Sequence, residues 1–126
     1  MEKKSTIFCD IDGTIFKYRE FENYKKEKCQ VLPGVLNKLN KWREDGHMII
    51  LTTARPENLR EDTSEELSIS NVPYDRLIMG IERGVRVLIN DKDPKLNQSK
   101  ALAINLKRDE GMIFDKIEID LKANSL

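Results

Sequence analysis

The sequence predicts an α/β domain built around a mostly parallel sheet. Short apolar runs of strand length alternate with segments of helical periodicity, and this alternation is typical of βαβ units. Most of the runs are continuous rather than alternating in polarity, as expected for strands that are buried on both faces. With 126 residues, the chain is long enough for one ordinary domain and too short for two. We therefore expect a single Rossmann-like, three-layer domain over 1–126.

Five apolar runs are the predicted strands, which gives a five-stranded sheet. They lie at Thr6–Cys9, His47–Leu51, Leu77–Met79, Val85–Ile89 and Leu102–Leu106.

Two helical patterns lie between these runs. In the first, Val35, Leu39 and Trp42 recur at the spacing of one helix face, and Gly46 follows as a C′ residue.

The second pattern begins at Pro56, which suits the first helical position. Thr63 and Glu66 form a capping-box pattern in its middle. This segment is therefore one helix or two.

An unusually long connection, residues 14–33, separates the first strand from the first helix. A βα loop usually has about 2–6 residues, and long ordered loops at a strand's carboxyl end often serve as lids. This one carries aromatic side chains among lysines and an arginine. We expect a flap or lid; the alternative is a β-hairpin or short helix that caps the sheet.

Polar side chains follow three of the predicted strands at their carboxyl ends. Asp10 and Asp12 follow the first, Thr52 and Thr53 the second, and Asp91 and Asp93 the fourth. Ligands of parallel α/β sheets bind beyond these strand ends. We therefore expect the candidate site there.

Asp10 and Asp12 are the most informative pair in the chain. Two carboxylates this close repel each other unless a cation or a shared proton offsets the repulsion. Carboxylate oxygens suit Mg²⁺, and Asp91 would add a third ligand. Asp10 could then act as a nucleophile, with Asp12 as general acid and afterwards general base.

Other residues near these strand ends suit a phosphate. Gly13 allows close backbone approach, and the Thr53 hydroxyl can donate to a phosphoryl oxygen. A cation such as Arg83 or Lys92 could neutralise charge on that group. Arg55 could touch substrate or form a structural salt bridge. The candidate substrate-binding residues are Gly13, Thr14, Thr52, Ala54, Arg55 and Lys92.

Composition narrows the class of protein. Basic and acidic residues number 22 each, so the net charge is zero and nothing suggests a nucleic-acid-binding domain. No apolar run approaches the ~18 residues of a membrane span, and the N-terminus lacks a signal-peptide pattern. Cys9 and Cys29 form no disulfide or metal-binding framework. We expect a cytoplasmic protein without nucleic-acid or membrane partners.

Three motifs, in order, resemble those of the haloacid dehalogenase (HAD) superfamily. These are "DIDGT" after the first strand, "IILTTARP" at the second and "VLINDKD" at the fourth. The resemblance implies that Asp10 is the nucleophile and a metal ligand, and that Asp12 is the acid/base with its backbone carbonyl on Mg²⁺. It implies Thr53 as the second-motif residue, with Thr52 as the alternative.

For the fourth motif the resemblance implies Asp91 as a metal ligand, assisted by Asp93 or Asn90 through water. The sequence departs from the family pattern at two positions. Ile81 stands where a lysine is usual, so Arg83 is our choice for that catalytic cation and Lys92 the second choice. Asn90 stands where many relatives have an aspartate, which could weaken Mg²⁺ binding.

The chain is also short for this family and leaves no room for a separate cap domain. Capless relatives often close the site with a neighbouring subunit, so we expect a homo-oligomer. The resemblance implies a Mg²⁺-dependent phosphomonoesterase acting through an aspartyl-phosphate, on a sugar phosphate or other small phosphorylated metabolite. The alternative is a catalytically weak member that binds a phosphorylated sugar or a partner in a biosynthetic complex.

Overall fold

The computed structural model of the protein describes residues 4–95 and 99–113. In this part of the chain, three strands form one parallel sheet in the order β1–β2–β3. The strands are β1 (Thr6–Asp10), β2 (Met48–Thr52) and β3 (Arg76–Ile78), and the helices are α1 (Val35–Glu44) and α2 (Arg60–Ile69). The α/β class and the parallel sheet are thus confirmed.

Helix α1 forms where the apolar spacing predicted it. Its buried side chains are Val35, Leu39 and Trp42, and Gly46 follows with a φ of 91° that glycine adopts at no steric cost. The second helical pattern is a 3-10 turn at Glu57–Leu59 followed by one α-helix, α2. Thr63 lies buried inside α2 and does not cap a further helix.

The two faces of the sheet differ in their cover. Cys9, Ile49 and Leu51 point to one face and pack in a single core with α1 and α2. Alternate residues point the other way. On that face Phe8 is 52% exposed and Ile78 is 42% exposed. One face is therefore covered by the helices, whereas the other presents apolar side chains to solvent.

Two predicted strands are not strands in the described structure. Residues 85–89 and 102–106 contain no strand, and Val85 and Ile89 are 92% and 88% exposed. Within the described residues, three of the expected five strands are observed and a third layer is not seen; the five-stranded, three-layer arrangement stays a prediction. An apolar run is a strand only when a neighbour accepts its hydrogen bonds. In the described part of the chain, β1 pairs with β2 alone. Its outer edge has no strand beside it, and residues 85–89 do not pair there.

The connection after β1 forms a paired loop. Lys17 donates its backbone N–H to Gln30 and Leu32 donates to Ile15, so the two arms lie side by side. Ile15 and Phe16 are fully buried in the core, and the tip contains a 3-10 turn at Phe21–Asn23. This loop, residues 14–33, is called the flap below. Among the described residues, no helix has the length and apolar character needed to cross a membrane.

Candidate functional site

Asp10 ends β1 and pairs in register with Thr52 of β2. Its side chain is 42% exposed, and one guanidinium nitrogen of Arg86 lies 3.7 Å from Oδ1. The Thr14 hydroxyl donates a hydrogen bond to Oδ2 at 3.4 Å. Partial burial raises the pKa of Asp10, and the positive charge of Arg86 opposes that effect. Asp10 is thus an accessible carboxylate with a cation beside it.

The turn after β1 requires glycine at position 13. Gly13 has a φ of 84° and donates its N–H to the Phe16 carbonyl at 2.7 Å. A Cβ at this position would lie only 3.0 Å from the Cγ atom of Arg108. The predicted close backbone approach at Gly13 is therefore a property of this turn, although the neighbour seen here is an arginine.

Asp12 is held much more firmly than Asp10. Its side chain is 12% exposed. The Arg55 guanidinium donates to Oδ1 at 2.7 Å and to Oδ2 at 3.0 Å, and the Tyr24 hydroxyl donates to Oδ2 at 3.0 Å. A planar guanidinium that meets both oxygens fixes orientation as well as charge. The two carboxylates of the first motif thus occupy different environments.

Arg55 is the centre of this arrangement. Its remaining nitrogen, Nη1, donates to the Thr63 hydroxyl at 3.0 Å and to Glu66 at 2.9 Å. Burial by itself would lower the pKa of Arg55, but the hydrogen bonds and charges of Asp12 and Glu66 raise it. Of the two roles that the sequence left open for Arg55, the structure shows the salt bridge; contact with substrate stays a prediction.

The flap supplies the other members of the same group. Arg19 donates to both carboxylate oxygens of Glu66, at 2.8 and 2.9 Å. The guanidinium of Arg55 lies 4.3 Å from the centre of the Tyr24 ring, and that of Arg19 lies 5.1 Å from it. Burial would raise the pKa of Glu66, but Arg19 and Arg55 together lower it. The ionic cluster is the set Asp12, Arg19, Tyr24, Arg55 and Glu66.

The two threonines of the second motif, Thr52 and Thr53, have different neighbours. Thr52 lies opposite Asp10 in the sheet register. Thr53 is buried, donates its N–H to the Ile78 carbonyl and accepts the Arg55 N–H on its hydroxyl at 3.1 Å. Ala54, between them and Arg55, is half-buried. Thr52 is therefore the threonine beside Asp10, and Thr53 supports the start of the Arg55 segment.

The structure does not bring the fourth-motif residues to β1. Asp91 is exposed, and its carboxylate pairs with Lys100 at 2.5 Å, which lowers the pKa of Asp91. Within the described residues, no group of three or more His, Cys, Asp or Glu side chains is placed to hold a metal ion. Asp10 has the hard oxygen donors that Mg²⁺ prefers. The predicted set of Asp10, Asp12 and Asp91 is therefore only partly assembled.

The cation nearest Asp10 is one that the sequence reading missed. Arg83 and Lys92 are both exposed, whereas Arg86 forms the ion pair with Asp10. Arg86 alternates with Val85 and Val87 in an apolar run, and that alternation was the only signal for it. The roles of Arg19, Tyr24 and Glu66 were also missed, because nothing in their spacing relates them to Asp12.

A late segment of the chain closes against the turn at Gly13. The backbone N–H of Asp109 donates to the Gly13 carbonyl at 2.9 Å, and its carboxylate accepts the Tyr18 N–H at 2.7 Å. The guanidinium of Arg108 lies 4.0 Å from the centre of the Tyr18 ring. Arg86 beside Asp10 and Arg108 beside Gly13 thus add positive charge around the turn after β1.

Comparison with solved structures supports the fold. A chain of the Pnkp1/Rnl/Hen1 complex matches with a TM-score of 0.55 and 23% identity over 66% of this chain and 30% of that one. A structural-genomics target from Vibrio cholerae matches with a TM-score of 0.50 and 19% identity over 66% of this chain and 78% of that one. The present chain thus spans less than a third of the first of these chains.

The comparison with protein families is more direct. No curated protein sequence matches this chain. The model of the haloacid dehalogenase-like hydrolase family matches residues 7–110, which include the turn that carries Asp10 and Asp12 and the segment that carries Thr53 and Arg55. Since this match covers most of the sequence and every motif described above, the chain belongs to the haloacid dehalogenase-like hydrolase family.

Proposed function

We propose that the protein is a Mg²⁺-dependent phosphomonoesterase that forms an aspartyl-phosphate on Asp10. One observation carries this proposal: the two carboxylates of a single turn are differentiated by their surroundings. Asp10 is accessible beside Arg86, whereas Asp12 is nearly enclosed and fixed by Arg55 and Tyr24. Two carboxylates in different environments can take different roles in one reaction.

The first half-reaction uses the accessible carboxylate. An oxygen of Asp10 attacks phosphorus and the bond from phosphorus to the ester oxygen breaks. That oxygen leaves with the electron pair of the bond and takes up a proton from Asp12, the proposed general acid. Asp10 must be ionised to attack; partial burial raises the pKa of Asp10, and the charge of Arg86 opposes that rise. Arg86 also lies where it can neutralise the phosphoryl oxygens. We propose that Gly13, Thr14, Thr52 and Ala54 line the phosphate-binding space and that Thr53 supports it.

The cation would be held by Asp10, by the backbone carbonyl of Asp12 and by Asp91, with Asn90 and Asp93 assisting through water. When bound, Mg²⁺ neutralises negative charge on the transferring phosphoryl group. This ligand set requires Asp91 to approach β1. Asp91 would approach β1 if the exposed apolar segment 85–89 paired with the outer edge of that strand. Such pairing would bury apolar area and provide hydrogen bonds to both segments.

The proposed substrate is a sugar phosphate or another small phosphorylated metabolite, and the proposed location is cytoplasmic. No part of the described chain forms a cap domain over Asp10. We accordingly propose a homo-oligomer in which a second copy helps to close the site. Alternatively, a bulky substrate would itself cover the open site. We propose no nucleic-acid partner and no membrane partner.

A second function is favoured by a specific observation. The carboxylate of Asp91, the proposed third metal ligand, is exposed and paired with Lys100. A site in this state binds a phosphate more readily than it hydrolyses one. The alternative proposal is therefore a catalytically weak protein that binds a phosphorylated sugar or a partner in a biosynthetic complex.

The test is hydrolysis of p-nitrophenyl phosphate and of a panel of phosphorylated metabolites, with and without Mg²⁺. Asp10→Asn should abolish turnover and leave the thermal unfolding midpoint close to that of the wild type. Asp45→Asn is the matched control, because Asp45 is an exposed aspartate that pairs with Lys41 at the end of α1. Full activity in Asp10→Asn would contradict the mechanism. Binding without turnover on every substrate would favour the second function.

A further inference from the structure

The ionic cluster places Arg55 and Tyr24 directly on Asp12. Both carboxylate oxygens of Asp12 are occupied: Oδ1 by Arg55, and Oδ2 by Arg55 and Tyr24. Three hydrogen bonds, two from Arg55 and one from Tyr24, therefore fix the orientation of the Asp12 carboxyl group.

The cluster is balanced in charge and tied to two parts of the chain. Asp12 and Glu66 carry the negative charges, and Arg19 and Arg55 carry the positive ones. Arg19 and Tyr24 come from the flap, whereas Glu66 comes from α2. The Tyr24 hydroxyl donates to Asp12, and the Tyr24 ring lies near the guanidinium groups of both Arg19 and Arg55. The position of Asp12 thus depends on how the flap packs against α2.

We propose that Arg55 and Tyr24 are positioning residues that hold Asp12 as the general base for hydrolysis of the aspartyl-phosphate. This inference rests on the proposed phosphatase function. It adds two residues to the site and assigns them to the second half-reaction rather than the first.

The step balances within the site. A water molecule attacks phosphorus, and a new phosphorus–oxygen bond forms as the bond to the Asp10 oxygen breaks. The electron pair of that bond returns to Asp10, which regains its carboxylate, and the water proton passes to Asp12. Asp12 then holds the proton that it donates to the leaving oxygen of the next substrate. A base held within hydrogen-bonding reach speeds such a transfer, whereas a freely rotating one loses orientation.

The cleanest probe is Tyr24→Phe, because it removes one hydrogen bond to Asp12 and keeps the aromatic ring that lies near the guanidinium groups of Arg19 and Arg55. A hydrogen bond to a charged group contributes enough that its loss should lower kcat about tenfold. Arg55→Lys keeps the charge without the planar fork and should lower kcat further. Tyr74→Phe and Arg43→Lys are the matched controls, since Tyr74 packs beside the core and Arg43 pairs with Asp75.

The readout is the pre-steady-state hydrolysis of p-nitrophenyl phosphate, followed by acid quenching and intact-mass analysis. This leaving group departs without strong help from an acid, so the first half-reaction should stay fast. We expect Tyr24→Phe and Arg55→Lys to show a burst of about one equivalent per site, slow turnover and an accumulated phosphoprotein. The values of kcat/KM should change much less than kcat.

Two results would overturn the inference, and they differ. If the wild type turns over but kcat and kcat/KM fall together in Tyr24→Phe without phosphoprotein, the two residues do not serve the second step. In that case the phosphatase proposal still stands. If the wild type itself gives neither turnover nor phosphoprotein with any substrate, both proposals fall.

Discussion

Two segments of this chain look alike in sequence and differ in structure. Residues 6–12 and residues 85–93 are both short apolar runs that end in two acidic residues separated by one other residue. The first forms β1, pairs with β2 along its full length and has Cys9 buried. The second forms no strand, and Val87 is 76% exposed. The difference teaches that composition permits a strand but pairing and burial make one.

The consequence reaches the site. Because β1 is fixed in the sheet, Asp10 and Asp12 have defined neighbours: Arg86 and Thr14 for the first, Arg55 and Tyr24 for the second. Asp91 is on a segment without such support, and its observed partner is a nearby lysine. The part of the site at β1 therefore has well-defined contacts, whereas the part contributed by Asp91 is incomplete.

The largest expected effect comes from a pair of truncations, one in β2, the strand that pairs with β1, and one in residues 85–93. Leu51→Ala removes a fully buried side chain of β2 and should lower the free energy of unfolding by about 2–5 kcal/mol. Val87→Ala removes an exposed side chain and should change it by less than about 0.5 kcal/mol. Chemical denaturation of both variants measures the difference. A large loss in Val87→Ala would show that residues 85–89 are buried, and the comparison would break.

The next effect concerns the ionic cluster and depends on pH. Arg19 and Arg55 lower the pKa of Glu66 in the folded protein, so the unfolded chain takes up its proton first as pH falls. The stabilisation from Glu66 should be fully present above the ordinary glutamate pKa of about 4.3 and lost as pH falls through the folded value. Glu66→Gln should therefore be less stable than the wild type at pH 7 and approach it in acid.

Glu65→Gln is the control for that measurement, because Glu65 is the exposed neighbour on the same helix. Unfolding curves at several pH values give the comparison. The difference in the free energy of unfolding between Glu66→Gln and the wild type should shrink in acid. If it stays constant down to strongly acidic pH, the charge pairing of Glu66 is not its source.

A smaller effect should appear in amide hydrogen exchange. In the absence of Mg²⁺, the amides of β2 should be strongly protected and those of residues 85–89 only weakly. Mg²⁺ with a phosphate analogue should increase protection at 85–89 if that segment pairs with β1. Asp91→Asn should remove this increase while protection in β2 stays the same. If the amides of β2 and of residues 85–89 are equally protected without Mg²⁺, residues 85–89 are not an unpaired segment and the comparison fails.

The smallest effect is expected at the exposed pair of Lys100 and Asp91. Lys100→Met removes the observed partner of Asp91, but both groups are solvated, so the thermal unfolding midpoint should not change measurably. Freed from this contact, Asp91 should bind Mg²⁺ no more weakly than before. Isothermal titration of the variant with Mg²⁺ would show a loss of affinity if Lys100 instead supports the site.

Much of the fold was readable from local pattern. Helix α1 followed from the apolar spacing of Val35, Leu39 and Trp42, and β1 and β2 followed from continuous apolar runs. The family and the position of Asp10 and Asp12 followed from "DIDGT" at a strand end. The predicted strands at 85–89 and 102–106 are not seen in the described structure. A strand also needs a hydrogen-bonding partner, and the local sequence pattern does not identify that partner.

The amino-acid sequence by itself determined the α/β class, the family and the turn that carries the two carboxylates, because these depend on local periodicity and on residues adjacent in the chain. Only the tertiary structure decided that Arg55, Tyr24 and Glu66 surround Asp12 and that Arg86, rather than Arg83, lies beside Asp10. Those contacts join residues that are far apart in sequence. Charge and hydrogen bonding select such partners only after the chain has brought them together.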